Sequence, residues 1–286
     1  MSVNITTSFV EQYSANVQML SQQMGSLLRG AVDVESIKGK NAFFEQIGAT
    51  TAQLRTSRHG NTPQIDMPHS RRRLSLASYE WADLIDDADK VRMLIDPTSS
   101  YAKAAAAAMG RSMDDVIITA ALGTANTGVS GGTSTALPSG QKVAHGSAGL
   151  TVAKLLSAKK ILDQNSVDPS IKRYCVVSPE QVEDLLNTTE VKSSDFNTVK
   201  ALAQGDVNSF LGFEFITSNR LTTDSNSDRQ VIAFASDGIK LGIGKDITAR
   251  ISERDDKSYS TQVYYCMDIG ATRMEEEKVV EIACQE

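Results

Sequence analysis

Paired cysteines, clustered histidines, long apolar runs and an excess of basic charge are all missing from this chain. Each absence closes off a class of function. The three cysteines, Cys175, Cys266 and Cys284, lie far apart and form no C-x-x-C pair. That excludes a zinc or dithiol motif and fits free thiols in a reducing cytoplasm. The three histidines, His59, His69 and His145, fall in turn-rich stretches with no H-E-x-x-H spacing, so they read as surface residues. No apolar segment follows Met1, and no run approaches the roughly 20 residues of a membrane span, so neither a signal peptide nor a membrane is expected. A net charge of −6 argues against a protein that coats nucleic acid, which is usually basic.

Linear catalytic motifs fail on inspection. Gly128-Val129-Ser130-Gly131-Gly132 has the letters of the nucleophile elbow G-x-S-x-G. That elbow needs a strand before the serine and a helix after it, whereas here a helix precedes and a flexible loop follows. Gly244-Lys245 lacks the glycine five places earlier and the following Ser or Thr of a phosphate loop. Asp87-Ala88-Asp89 begins like a calcium loop, but the sixth-place glycine and the closing glutamate are absent. No enzyme, metal or cofactor is indicated. An unrecognised hydrolase using Ser130 or a histidine stays only as a remote alternative.

What is present is a chain of 286 residues, 41% hydrophobic and 22% charged, long enough for a substantial core. It is organised around residues 96–123. Asp96 before Pro97 is a good helix start, and five consecutive alanines, residues 104–108, favour the helix they occupy. Ala105, Met109, Met113, Val116 and Ala120 keep helical spacing on one face. A helix of that length spans about 37 Å, long for a globular protein. Arg111, Asp114 and Asp115 then stand as candidates for contacts at its edges.

Before it, residues 5–28 predict a polar, nearly uncharged helix, read as an arm packing on a neighbour. Residues 31–78 alternate short β-prone pieces with turn residues. Arg29, Lys38, Lys40, Arg55, Arg58, Arg71, Arg72 and Arg73 outnumber Asp33, Glu35, Glu45 and Asp66 there. Residues 79–92 reverse the sign, with Asp83, Asp86, Asp87 and Asp89 around Trp81, Leu84 and Ile85. A basic hairpin and an acidic turn on one chain are complements for a second copy. Arg58, Arg71, Arg72, Arg73, Asp83, Asp86, Asp87 and Asp89 are therefore the candidate assembly contacts.

After the long helix, residues 126–149 are rich in Gly, Ser and Thr and read as an exposed loop. A helix follows over 151–165, then a buried strand over 174–177. Ser178-Pro179 with Gln181 sets a capping box for a helix over 180–187. Strands are expected at 213–216, 230–235, 239–243, 247–251, 262–269 and 279–284, with charged turns at 253–257 and 273–278. No internal repeat is visible.

This order of segments resembles tailed-bacteriophage major capsid proteins. It is carried by the polar arm, the basic hairpin, Asp86-Asp87-Ala88-Asp89-Lys90, and the long helix closing at residues 111–118. Val176-Val177-Ser178-Pro179, Leu211-Gly212-Phe213-Glu214-Phe215, Ser218-Asn219-Arg220-Leu221 and Gly270-Ala271-Thr272-Arg273 continue it over nearly the whole chain. The resemblance implies an α+β fold of the HK97 capsid type. Its parts would be an N-terminal arm at 1–30, an extended loop at 31–80, a peripheral domain with the spine helix at 81–144 and an axial domain at 145–240. Residues 241–286 would return as strands to the peripheral domain. It implies hexamers and pentamers of copies closing an icosahedral head around double-stranded DNA, without sequence-specific binding, made in the bacterial cytoplasm and ending in the virion. A separate scaffolding protein and a portal are implied partners. Lys38 and Lys40 lie in the loop, but no catalytic glutamate can be assigned, so covalent crosslinking is not carried over. A shell of the encapsulin nanocompartment type is the alternative.

Overall fold

The computed structural model describes residues 21–58, 60–62, 64–86, 98–187 and 209–286. Its spine is α1, Thr98–Leu122, matching the expected length. The proposed cap, Asp96-Pro97, lies outside the described residues. The buried stripe is Ala105, Met109, Met113, Ile117, Ile118 and Ala121, so Val116 and Ala120 are only partly covered. The small alanines on this stripe let the helix approach a sheet closely.

That sheet has the order β1-β12-β13-β4, with β1 Asp33–Ser36, β4 Ala77–Ile85, β12 Ile239–Arg254 and β13 Ser260–Arg273. Two expected strands, 239–243 and 247–251, are one strand with register shifts between Ile243, Lys245 and Thr248. Gly244 and Asp246 interrupt the apolar pattern where the ladder is irregular. Residues 77–85, expected as the start of an acidic turn, form strand β4 on β13. Along β13 the odd positions Val263, Tyr265, Met267 and Ile269 are buried, while Tyr264, Cys266 and Asp268 line the other face.

A second sheet crosses over this one. Its order is β2-β3-β5-β6, from β2 Asn41–Ile47, β3 His69–Ser75, β5 Ala125–Thr127 and β6 Thr133–Thr135. The Gly/Ser/Thr stretch expected as a loop thus folds partly, because its short hairpin extends β3 instead of needing a core of its own. The crossing depends on Gly242 and Gly270, which face each other across β12 and β13. A Cβ on Gly242 would sit 2.1 Å from Ile37 Cδ1, and one on Gly270 would sit 2.2 Å from the Ser75 carbonyl oxygen. Their bareness makes the socket that buries Leu74 at the end of β3.

The third sheet has the order β7-β14-β11-β8-β10-β9. It is built from β7 Lys142–Val143, β8 Arg173–Val177, β9 Ser209–Phe210, β10 Phe213–Thr217, β11 Arg229–Ala235 and β14 Val279–Cys284. Helix α2, Val152–Gln164, packs on β14, and Thr151, expected as its first residue, is instead its cap, accepting from the Lys154 N–H. Helix α3, Pro179–Asn187, shows half of the expected box, the Ser178 N–H donating to Gln181 Oε1 at 2.8 Å. Strand β14 was expected to return with the 241–286 segment to the spine's sheet. Instead it lies between β7 and β11, held by Lys154, whose ammonium donates to the Ala148 and Ala283 carbonyls at 2.7 and 2.9 Å. One buried apolar cluster runs from Leu28 to Cys284 and joins the spine, its sheet and the six-stranded sheet, while β2, β3, β5 and β6 contribute nothing to it.

The expected N-terminal helix lies mostly outside the described residues. Its described end, 21–28, is not helical. Asp114 of α1 explains why: its carboxylate takes bonds that hold this segment extended across the helix.

Candidate assembly surfaces

The hairpin β2–β3 is in register from Asn41 opposite Ser75 to Ile47 opposite His69. Beyond it, the described residues between Gly48 and Pro68 form no strand. Apolar side chains are set out in solvent along its length: Phe43, Ile47, Ile65, Met67 and, at the tip, Leu54 at 89% exposure. Arg55 and Arg58 are exposed beside Leu54. Apolar and basic groups together, on a projection with no core of its own, make a surface suited to a partner.

Strand alternation separates the three consecutive arginines. Arg71 points outward, pairs with Glu45, donates to the Val129 carbonyl at 3.2 Å and lies 5.6 Å over the Phe43 ring. Arg73 shares that face and lies against Gly131 in the β5–β6 turn. Arg72 points inward and is 7% exposed. It pairs with Glu276, and its Nε donates to the Met274 carbonyl at 2.8 Å. Of the candidate contacts, Arg72 therefore belongs to the inside of the subunit, where it fastens the hairpin to the turn after β13. Gln46 donates to the same Met274 carbonyl at 2.7 Å.

The other end of that fastening is Arg273, which is fully buried. Its guanidinium donates to the carbonyls of Ala121, Gly123 and Thr135 at 2.9, 2.8 and 3.0 Å, and Glu276 lies 3.6 Å away. It meets the unsatisfied carbonyls at the C-terminus of α1, where the helix dipole is negative. Burial pulls the Arg273 guanidinium below its ordinary range, with Glu276 opposing. Lys240 makes a third joint. Its ammonium sits 3.0 Å from Asp33 and 2.7 Å from Glu35, and 4.7 Å over the Phe44 ring of the hairpin. Burial lowers its pKa, but the bonds to the two carboxylates outweigh this and hold it above the usual value.

Asp83 and Asp86 are exposed at the end of β4, with the Asp83 carboxylate accepting from the Leu84 N–H at 2.9 Å. Asp87 and Asp89 lie outside the described residues. On the spine, Asp114 is fully buried, not at an edge, because four donors of residues 23–28 converge on it. Asp115 pairs with Arg220, and Arg111 donates to Gln22 at 2.9 Å. Between α1 and strands β4 and β13 runs an open groove of about 520 Å³, lined by small side chains including Ala77, Ser112, Thr119 and Ala271.

Nothing in this arrangement prepares a reaction. Ser130 is exposed in the β5–β6 turn, and His145 has Asp228 at 3.7 Å, on the far sheet. Among the described residues no group of three His, Cys, Asp or Glu side chains is placed to hold a metal. Among them, too, no helix is long and apolar enough to cross a membrane.

An exposed projection is braced by buried charge on a body of one long helix and its sheets. Residues 5–286 match the family model for phage capsid protein, and the chain belongs to that family. It is a structural, non-enzymatic component of the virion capsid. Its fold is the α+β fold of phage capsid subunits. The capsid chain of cyanophage P-SCSP1u is 19% identical with a TM-score of 0.79, over 100% of this chain and 96% of that one. The capsid chain of Ralstonia phage GP4 is 9% identical with a TM-score of 0.76, over 98% and 96%. A chain from Mycobacterium phage Che8 is 19% identical with a TM-score of 0.73, over 96% and 97%. At such identities the likeness is one of fold. No curated protein matches the sequence.

Proposed function

We propose that copies of this chain form hexamers and pentamers that close an icosahedral phage head around double-stranded DNA. The hairpin tip of one copy lies across the body of the next. The observation that carries this is Leu54, Ile65 and Met67 exposed on a tip whose base is locked by Arg72, Glu276 and Met274. A locked base and an uncovered apolar tip belong to a part that reaches for another copy. The small-residue groove beside α1 is its seat. Arg58, Arg71 and Arg73 face the acidic stretch at Asp83, Asp86, Asp87 and Asp89 of a neighbour, many modest contacts that symmetry multiplies. The arm, extended loop, peripheral and axial parts lie near the boundaries 30, 80, 144 and 240, except that β1 and β4 belong with the spine's sheet and β7 and β14 with the axial part. A net charge of −6 keeps the wall from gripping the DNA it encloses. A scaffolding protein and a portal complete the assembly, in the host cytoplasm. No observation favours a nanocompartment shell over a phage head.

The test reverses charge on the exposed tip, where Arg55 donates only locally, to the Ser57 carbonyl at 3.0 Å. The double variant Arg55→Glu/Arg58→Glu folds as wild type by circular dichroism but forms no shells in negative-stain electron microscopy. Normal shells from this variant at low salt would remove the hairpin from the assembly contacts.

A further inference from the structure

Where the ladder between β12 and β13 is irregular, Lys245 lies over β13, and its ammonium donates to Cys266 Sγ at 3.0 Å. An amine nitrogen is thus held against a thiol sulfur on the neighbouring strand. Lys245 and Cys266 are both half-buried, on the face of the sheet opposite Val263 and Met267, within reach of a small oxidant. The other thiols cannot resolve an oxidised Cys266, since Cys175 and Cys284 are buried in the six-stranded sheet.

We propose that Lys245 and Cys266 are a redox modification site, closing under peroxide into a sulfur–nitrogen bridge between β12 and β13. The Cys266 thiolate attacks the peroxide and breaks its O–O bond. One oxygen stays on sulfur as the sulfenic acid, and the other leaves as hydroxide, which takes a proton from the Lys245 ammonium to become water and leaves the free amine. The Lys245 amine, as its free base, then attacks sulfur. The S–O bond breaks, and the departing hydroxyl takes the amine proton and leaves as a second water. One thiol, one amine and one hydrogen peroxide give one S–N bond and two waters. Sulfur loses two electrons, and the peroxide gains them. With the amine nitrogen 3.0 Å away and no second thiol at hand, the amine is the resolving nucleophile. The bridge fastens the two strands where their backbone pairing is interrupted. It lies away from the hairpin and does not depend on the proposed assembly.

The full chain, treated with hydrogen peroxide and digested without reductant, is expected to yield the Lys245 and Cys266 peptides joined, lighter by two hydrogens. Dithiothreitol separates them again. Cys266→Ser abolishes the joined species. Lys245→Arg, which keeps the cation, also abolishes it and leaves a sulfenic acid that dimedone labels several-fold more than in wild type. Equal dimedone labelling in wild type and Lys245→Arg overturns the proposal. So do an unmodified Cys266, a disulfide-linked dimer, or a bridge heavier by a retained oxygen.

Discussion

Asp114→Asn separates a structural anchor from an incidental buried charge. The carboxylate is fully buried in α1. Oδ1 accepts from Ser26 Oγ at 2.5 Å and from the Leu28 N–H at 3.1 Å. Oδ2 accepts from Gln23 Nε2 at 2.5 Å and from the Leu27 N–H at 3.1 Å. Each oxygen takes one backbone donor, so neither orientation of an asparagine amide fits. Whichever oxygen becomes NH2 sets a donor against a donor. The change removes a charge-assisted bond worth about 1.5–3 kcal/mol and leaves a donor facing none, at about 1–3 kcal/mol more. A local loss of about 3–5 kcal/mol is expected, borne by residues 23–28 and not by the sheets. Hydrogen exchange of the Leu28 amide reads it directly, because each 1.4 kcal/mol is about tenfold in the opening equilibrium. Protection at Leu28 should fall at least about 100-fold, with β11 and β13 amides unchanged. An unchanged Leu28 rate in Asp114→Asn would refute the anchor, since the substitution keeps shape and volume.

Three further outcomes follow from the same contacts. Gly110→Ala puts a Cβ 2.3 Å from the Gly25 carbonyl carbon, so residues 23–28 must lift. Overpacking of about 1–3 kcal/mol outweighs the roughly 1 kcal/mol gain in helix propensity, and the melting temperature falls. Arg273→Lys replaces a fork spanning three carbonyls with one ammonium and should cost about 2–4 kcal/mol in urea unfolding, where a loss under about 1 kcal/mol would contradict the capping role. The Arg229 guanidinium, with smaller help from Gln181 and Ser178, holds the Glu286 carboxyl below its usual 4.5. A depressed carboxyl stabilises above the unfolded value and loses that contribution as pH falls through the folded one. The urea midpoint should therefore drop between about pH 5 and pH 3, and less steeply in Glu286→Gln.

Local signals were legible and distant ones were not. Alanines 104–108 and the Ser178–Gln181 pair announced their helices because propensity and capping act within a turn or two. The basic hairpin was visible as charge, and its strand alternation was implicit. Nothing in Arg71-Arg72-Arg73 says which face is inside, because the partner of Arg72 is Glu276, some 204 residues on. Asp114 read as an awkward charge on a helix edge, since the donors that surround it come from residues 23–28. The stretch 126–149 read as a loop because its order is borrowed from β3. Strand β14 went to an unexpected sheet because its five apolar residues suit either interior equally.

Several of the buried charges sit at joints of the fold. Asp114 stands where the N-terminal segment crosses the spine, and Arg72, Glu276 and Arg273 where the hairpin meets the end of the spine. Lys240 stands where β1, β12 and the hairpin meet. Apolar packing would hold these parts together as well or better, since a buried ion pair seldom outperforms a hydrophobic contact of equal volume. What packing supplies poorly is direction. A forked guanidinium between fixed carbonyls admits one angle, while leucine against leucine admits several. A subunit whose copies must meet at repeated angles gains from joints that resist sliding more than from joints that are merely strong. The placement of Arg273 and Asp114 meets that need, and it is why a chain with no chemistry to perform keeps charged side chains out of water.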